Sequence, residues 1–220
     1  MLCSVHYIWL NGNILNGLLD PEGKCPIFLH DRKERRGGGV YVLTRRELNA
    51  FNIPVSDSYS DIKLLCVDIA YCNAKCRIIV IYRSTDITQQ SDICTKQLVQ
   101  CLEHLACISY PCFIAGDLDA PTIDWAILVE NLENCSDIHL LDFAIDNGFT
   151  QMVQETTRHN SILDVVLTNE PNTTFDVSVC APIGFSDHFC VNFTVVLELD
   201  SLCSAPNNAY NNCQITVSVS

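Results

Sequence analysis

Apolar residues along this chain recur with a period of two more often than with a helical period, which predicts a β-rich fold. The runs "KLLCVDIAY" (63–71) and "CRIIVIYR" (76–83), separated by "CNAK", predict a hairpin. "GGGVYVLT" reads as a glycine turn feeding a short strand, "YPCFIAGDL" as a buried strand, and "SILDVVLT" and "FDVSVC" as two more. In "HFCVNFTVVLEL", Phe189, Val191, Phe193, Val195 and Leu197 alternate as they would on a half-buried strand. Helical spacing is confined to two places. Leu98, Leu102 and Leu105 share a face in "TKQLVQCLEHLACI", and "LENCSDIHLLDFAIDNGF" predicts a second helix closed by Gly148 at its C-cap. After Leu199 the composition turns to Ser, Asn and Ala. Residues 201–220 therefore read as a polar tail behind one domain over 1–200, although "QITVSVS" could add an edge strand. Strands that outnumber helices, with helices between some of them, predict helices packed outside β-sheets.

Composition narrows the class. A length of 220 residues suits one large α/β domain, and a hydrophobic content of 48% supplies its core. The net charge of −13 argues against gripping nucleic acid by a general positive field. It does not exclude a nucleic-acid enzyme, because a bound metal reverses the sign locally. The local exception is "HDRKERRGGG", whose Arg32, Lys33, Arg35 and Arg36 read first as a solvated loop and second as a phosphate contact. The fourteen cysteines contain no CxxC pair and no Cys/His cluster at zinc spacing, so they read as free thiols packed as small hydrophobes. The opening "MLCSVHYIWLNG" shows no basic leader, and no stretch reaches the roughly 18 apolar residues of a membrane span. The expectation is a soluble intracellular protein, nuclear or cytoplasmic. Without a leader, the glycosylation-type triplets at Asn134, Asn172 and Asn192 read as chance matches.

Chemistry-bearing residues collect where predicted strands end: Tyr82 and Arg83, Asp117 and Asp119, Asp164, then Ser186, Asp187 and His188. Loops after strands are where sheet-based enzymes build sites. Asp117 and Asp119 would share one face if their strand continued through both, and two adjacent anions need a counter-charge, a shared proton or water. Turn chemistry after Gly116 is the plain alternative. Contiguous Ser186, Asp187 and His188 cannot form a triad among themselves, because neighbours on an extended chain point to opposite faces. One of Asp187 and His188 can face a site, the carboxylate toward a hard cation or the imidazole toward a phosphate oxygen. Asp164 interrupts an apolar run and needs a partner if buried, a histidine being a natural one. His104, His139, Trp9 and Trp125 read as ordinary packing or surface residues.

Taken in order, "RRGGGVYV", "IYR", "FIAGDLDAPTIDW", "SILDVVLTNEP" and "PIGFSDHFCV" resemble the endonuclease/exonuclease/phosphatase superfamily. Within it they are most similar to the endonuclease domain of non-LTR (LINE-type) retrotransposons, over about residues 5–197. The resemblance implies a four-layer α/β sandwich, two packed mixed sheets flanked by helices. It also implies Mg²⁺-dependent (or Mn²⁺-dependent) nicking of DNA, with a reverse transcriptase domain as a companion in a longer reading frame. Matched position by position, Asp117 would orient or deprotonate the attacking water and Asp187 would help to hold the metal. His188, supported by Asp164, would neutralise the scissile phosphate, Tyr82 would contact it, and Ser186 would support the motif. Asp119 falls in the catalytic block, and Arg35, Arg36 and Arg83 are candidates for nucleic-acid contact. No membrane partner is implied.

The chain departs from that family at three points. Asp119 stands where the family has asparagine, adding an anion and losing an amide donor. Tyr7 stands where a metal-binding glutamate belongs, and a phenol is a poor ligand for Mg²⁺ at neutral pH. The family's first strand would lie before Met1, leaving a sheet edge or core face open. The expectation is weak or absent activity. Alternatives are a catalytically silent module that binds DNA or a partner, and a superfamily phosphatase acting on a small phosphoester.

Overall fold

The structure is a computed structural model that describes residues 2–8, 23, 25–30, 39–56, 63–83, 91–130, 136–182, 186–198 and 212–219. Its strands run in chain order Leu2–Ile8 (β1), Ile27–His30 (β2), Gly39–Thr44 (β3), Ala50–Ile53 (β4), Lys63–Tyr71 (β5), Ala74–Tyr82 (β6) and Cys112–Asp117 (β7). They continue with Ile123–Asp124 (β8), Val129–Glu130 (β9), Thr150–Gln151 (β10), Asp164–Thr168 (β11), Thr174–Cys180 (β12), Cys190–Glu198 (β13) and Asn212–Val219 (β14). Two helices are described, Ser91–Ala106 (α1) and Ile138–Asp146 (α2).

The strands form two six-stranded sheets, ordered β12-β13-β14-β1-β3-β2 and β10-β11-β7-β6-β5-β4, with β8-β9 as a separate small hairpin. Each large sheet has one parallel pair at its centre, β14/β1 in the first and β6/β7 in the second, and antiparallel pairs elsewhere. The predicted hairpin is β5/β6, tightened to a two-residue turn because Tyr71 already pairs with Ala74.

Period-two alternation builds the core. On β7, Phe113 and Ala115 face the other sheet while Cys112 and Ile114 face the helices. The inter-sheet layer joins Ile78 and Val80 to Val191, Phe193 and Val195, and the Phe113 and Phe193 rings approach to 6.1 Å across it. The second layer packs Leu98, Leu102 and Leu105 of α1, and Leu140, Leu141 and Phe143 of α2, on the outer face of the β7-containing sheet. Leu98, Leu102 and Leu105 recur at the helical spacing seen in the sequence. The α2 boundary is set locally. Asp137 does not cap the helix with its side chain, because its carboxylate accepts from Thr122 Oγ1 at 2.7 Å and meets Arg83 at 2.8 Å. Gly148, at φ +67°, takes the left-handed step that ends α2.

One expectation is corrected by β14. The predicted polar tail contains an interior strand, antiparallel to β13 along its length and parallel to β1. Ile215, Val217 and Val219 are fully buried, so three alternating apolar residues suffice when each meets a buried β13 neighbour. This strand covers one edge of β1.

A buried ion network fixes the far end of the β5/β6 hairpin. Arg77 bonds both oxygens of Asp68, at 2.6 and 3.0 Å, and donates to the Leu105 carbonyl at the end of α1. Tyr110 and Lys75 complete the shell around Asp68. Burial pushes the Asp68 carboxyl up, but the bonds from Arg77, Lys75 and Tyr110 outweigh it and leave the group below its ordinary value.

Candidate active site

The parallel pair β6/β7 ends on the register partners Tyr82 and Asp117, and β11 begins at Asp164 directly opposite Asp117. Alternation carries the inter-sheet face of Phe113 and Ala115 forward to Asp117, and that of Val166 back to Asp164. His188 arrives from the other sheet, two residues before β13. Three segments thus deliver an acid, an acid and an imidazole to one end of the inter-sheet core. All three side chains are buried, and one ligand atom from each lies within 4.8 Å of the others.

Local chemistry explains the placement. Gly116 has φ +134°, and a Cβ there would sit 2.0 Å from the Ile81 carbonyl oxygen, so only glycine lets β7 pass β6 this closely. The Asp119 backbone N–H donates to Asp117 Oδ1 at 2.9 Å, closing an Asx-type turn as the strand ends. Thr157, fully buried, accepts the Leu163 and Asp164 N–H groups on Oγ1 at 3.0 Å each, which holds the start of β11. The Thr157 carbonyl also accepts the Phe189 N–H at 2.8 Å, tying that loop to the histidine segment. Ser186 Oγ accepts the His188 N–H at 3.1 Å and shapes the bend that turns the ring inward.

The electrostatics follow from burial. Asp117 is pushed up to about 6, chiefly by desolvation, with the charge of Asp119 adding and that of His188 opposing. Desolvation also raises Asp164, although its bond to His188 works against the rise. Burial alone would lower His188, but the Nδ1–H bond to Asp164 Oδ2 at 3.0 Å, with the charges of Asp164 and Asp117, leaves it above its ordinary value. Nε2 remains on the side of Asp117, 4.0 Å from Oδ2, too far for a hydrogen bond.

The other expected site residues fall differently. Tyr82 is half-buried, packed against the inter-sheet core beside Asp117 in register. Asp119 does not share a strand face with Asp117: β7 stops at Asp117 and Asp119 turns into the left-handed region at φ 40°. Arg83 is not a solvent-facing cation. Its guanidinium binds Asp137 at 2.8 Å, the Leu118 and Asp119 carbonyls, Thr95 and Ser136, clamping the loop after β7 to the ends of α1 and α2. Asp187 stands apart from the three clustered groups, with its carboxylate 61% exposed and bonded to Arg158. Arg35 and Arg36 lie outside the described residues, as does the side chain of Tyr7, whose backbone pairs with Val40. Thr157 and Arg158, the second of which opens a four-residue turn to Ser161, drew no attention from the sequence; a Thr-Arg pair just upstream of a strand-starting aspartate was the available signal.

The donor set fits a divalent cation. Two buried carboxyls raised by desolvation sit beside an imidazole, and a cation there would relieve charge that the fold has taken out of water. Asp164 is committed to His188, which leaves Asp117 as the carboxylate best placed to hold the ion.

Comparison with known proteins places the fold and the family. The profile of the family described as endonuclease-reverse transcriptase matches residues 76–192, just over half of the chain and the span that carries all three clustered groups. Among curated proteins, none matches the sequence. The endonuclease domain of TRAS1, a telomere-specific non-LTR retrotransposon, superposes with a TM-score of 0.62 at 12% identity, over 86% of this chain and 94% of that one. The 3'-5' exonuclease NExo from Neisseria meningitidis gives 0.61 at 13% identity, over 85% and 86%. An AP endonuclease from Archaeoglobus fulgidus gives 0.58 at 11%, over 86% and 97%. At these identities the likeness is one of fold: the α/β fold of the nuclease and phosphodiesterase superfamily.

Proposed function

The chain belongs to the endonuclease-reverse transcriptase family, and on that premise we propose that it is a DNA-nicking endonuclease that hydrolyses a phosphodiester at Asp117, His188 and Asp164 with Mg²⁺ or Mn²⁺. The observation that carries the proposal is the convergence of those three buried groups from two sheets. Phosphoryl transfer needs in-line positioning and charge neutralisation, and these residues are suited to both. With a pKa of about 6, Asp117 is ionised at neutral pH yet more basic than an ordinary carboxylate, which favours orienting and deprotonating water. Asp164 holds Nδ1–H of His188 and favours its protonated form, whose Nε2–H can donate to a phosphate oxygen. An oxygen between Nε2 and Asp117 Oδ2, 4.0 Å apart, reaches both within hydrogen-bond distance. A divalent ion, when bound, supplies Lewis-acid neutralisation of the phosphate and a more acidic water, with Asp117 as its ligand. Tyr82 contacts the same phosphate, and Ser186 keeps the His188 bend in place.

A second function, binding DNA or a partner without turnover, is favoured by one observation. The carboxylate that the family motif assigns to the metal, Asp187, is bonded to a guanidinium. Supercoiled plasmid incubated with the chain in Mg²⁺ separates the two. Conversion to open circles that stops in EDTA and in His188→Ala supports hydrolysis at this site. DNA retention without nicking supports the silent form, and release of inorganic phosphate from small phosphoesters with no effect on the plasmid contradicts both.

A further inference from the structure

Arg158 and Asp187 form an ion pair at the rim of the buried cluster. Both Nε, at 2.9 Å, and Nη2, at 2.7 Å, donate to Asp187 Oδ2. The pair is exposed, 35% on the arginine and 61% on the aspartate, and exposed pairs contribute little to stability. Its position is more telling. The Arg158 backbone is locked in a tight turn with Ser161, donating to its carbonyl at 3.2 Å and accepting from its N–H at 3.0 Å. The preceding residue, Thr157, is the buried anchor of Asp164, and Asp187 precedes His188 directly. Both ends of the ion pair therefore hang from the backbone that places the catalytic groups. The Arg158 charge lies near enough to act on both Asp117 and His188. Among the described residues, Arg83 does not serve this rim, because it is enclosed in its clamp.

We propose that Arg158 contacts a backbone phosphate of the DNA at this site, aimed by the Asp187 carboxylate, so that Asp187 is a positioning residue for an arginine. A guanidinium with two nitrogens fixed on one carboxylate oxygen keeps its Nη1 edge for a second anion, and arginine forks suit phosphate oxygens. In a chain of net charge −13, one oriented cation beside the cluster also supplies the local attraction that the overall field lacks. The assignment rests on the endonuclease function proposed above.

The test measures affinity for a short labelled DNA duplex in EDTA across a salt series, with no divalent ion present. Arg158→Ala is expected to weaken binding roughly 10- to 100-fold and to reduce the salt slope by about one. Arg158→Lys, which keeps the charge and loses the fork, should recover only part of the affinity. Asp187→Asn should weaken binding about tenfold by analogy with loss of an orienting partner, although it removes a negative charge. The Arg158→Ala, Asp187→Asn double variant should match Arg158→Ala alone. Thermal unfolding of each variant guards against loss of fold, and Arg158→Lys carries the comparison if Arg158→Ala does not fold. If Asp187→Asn binds DNA as well as or better than the unaltered chain, or if its effect adds to that of Arg158→Ala, the proposal is overturned. Failure of the unaltered chain to bind or nick DNA would instead remove the endonuclease function itself.

Discussion

Asp117 is held where an ionised carboxylate is unwelcome, 5% exposed and paired in register with another buried aspartate. Its pKa is raised from 3.8 to about 6, so the folded chain binds this proton more tightly than the unfolded chain does. The sign follows: the contribution of this group to stability is greatest below pH 3.8, falls as pH rises, and above about pH 6 its ionised form costs roughly 3 kcal/mol. In EDTA, Asp117→Asn should therefore unfold at a higher temperature than the unaltered chain at pH 7 and should lose the decline between pH 4 and 6. Equal melting temperatures at pH 7 would mean that burial does not strain this site. Thr157→Val should act oppositely. It leaves two buried N–H groups without their acceptor and should cost roughly 2 kcal/mol or more in urea unfolding. The three clustered residues could be read from the sequence because each breaks an apolar run or sits in an ordered motif. Thr157 and Arg158 could not, since a polar pair in a loop has no periodicity to mark it. The clamp around Arg83 was hidden for a related reason: an arginine at a strand end looks the same in sequence whether it meets phosphate or, as here, a carboxylate, two carbonyls and two hydroxyls.

The strands β5, β6, β7, β11 and β13, and both helices, follow from period alone, because each carries at least one face of buried residues long enough to stand out. Strand β14 does not, since its alternation spans only three buried residues behind a Ser/Asn-rich stretch, and one of its two neighbours, β1, lies at the other end of the chain. Its place between them predicts a strong dependence on its core positions. Val217, opposite Phe193, should cost roughly 2 kcal/mol as Val217→Ala, and Val217→Asp should abolish cooperative unfolding by burying an unpaired charge. Circular dichroism on heating checks both. Two neutral substitutions would return this segment to the status of a tail.

The two sheets bring the site together jointly: one supplies Asp117 and Asp164, the segment leading into the other supplies His188, and the Phe113–Phe193 contact is part of the layer that keeps them aligned. No element carries the site alone, so the chemistry depends on the whole sandwich. With a net charge of −13 the molecule offers DNA no broad attraction, and the proposed chemistry falls to a few oriented groups and a divalent ion. Closed-circular plasmid, the unaltered chain and Asp117→Asn compared side by side in Mg²⁺ put that account to the test. The prediction is nicking by the unaltered chain, reduced at least about 100-fold by the loss of Asp117. Equal nicking by the two proteins, or nicking that persists in EDTA, would contradict it.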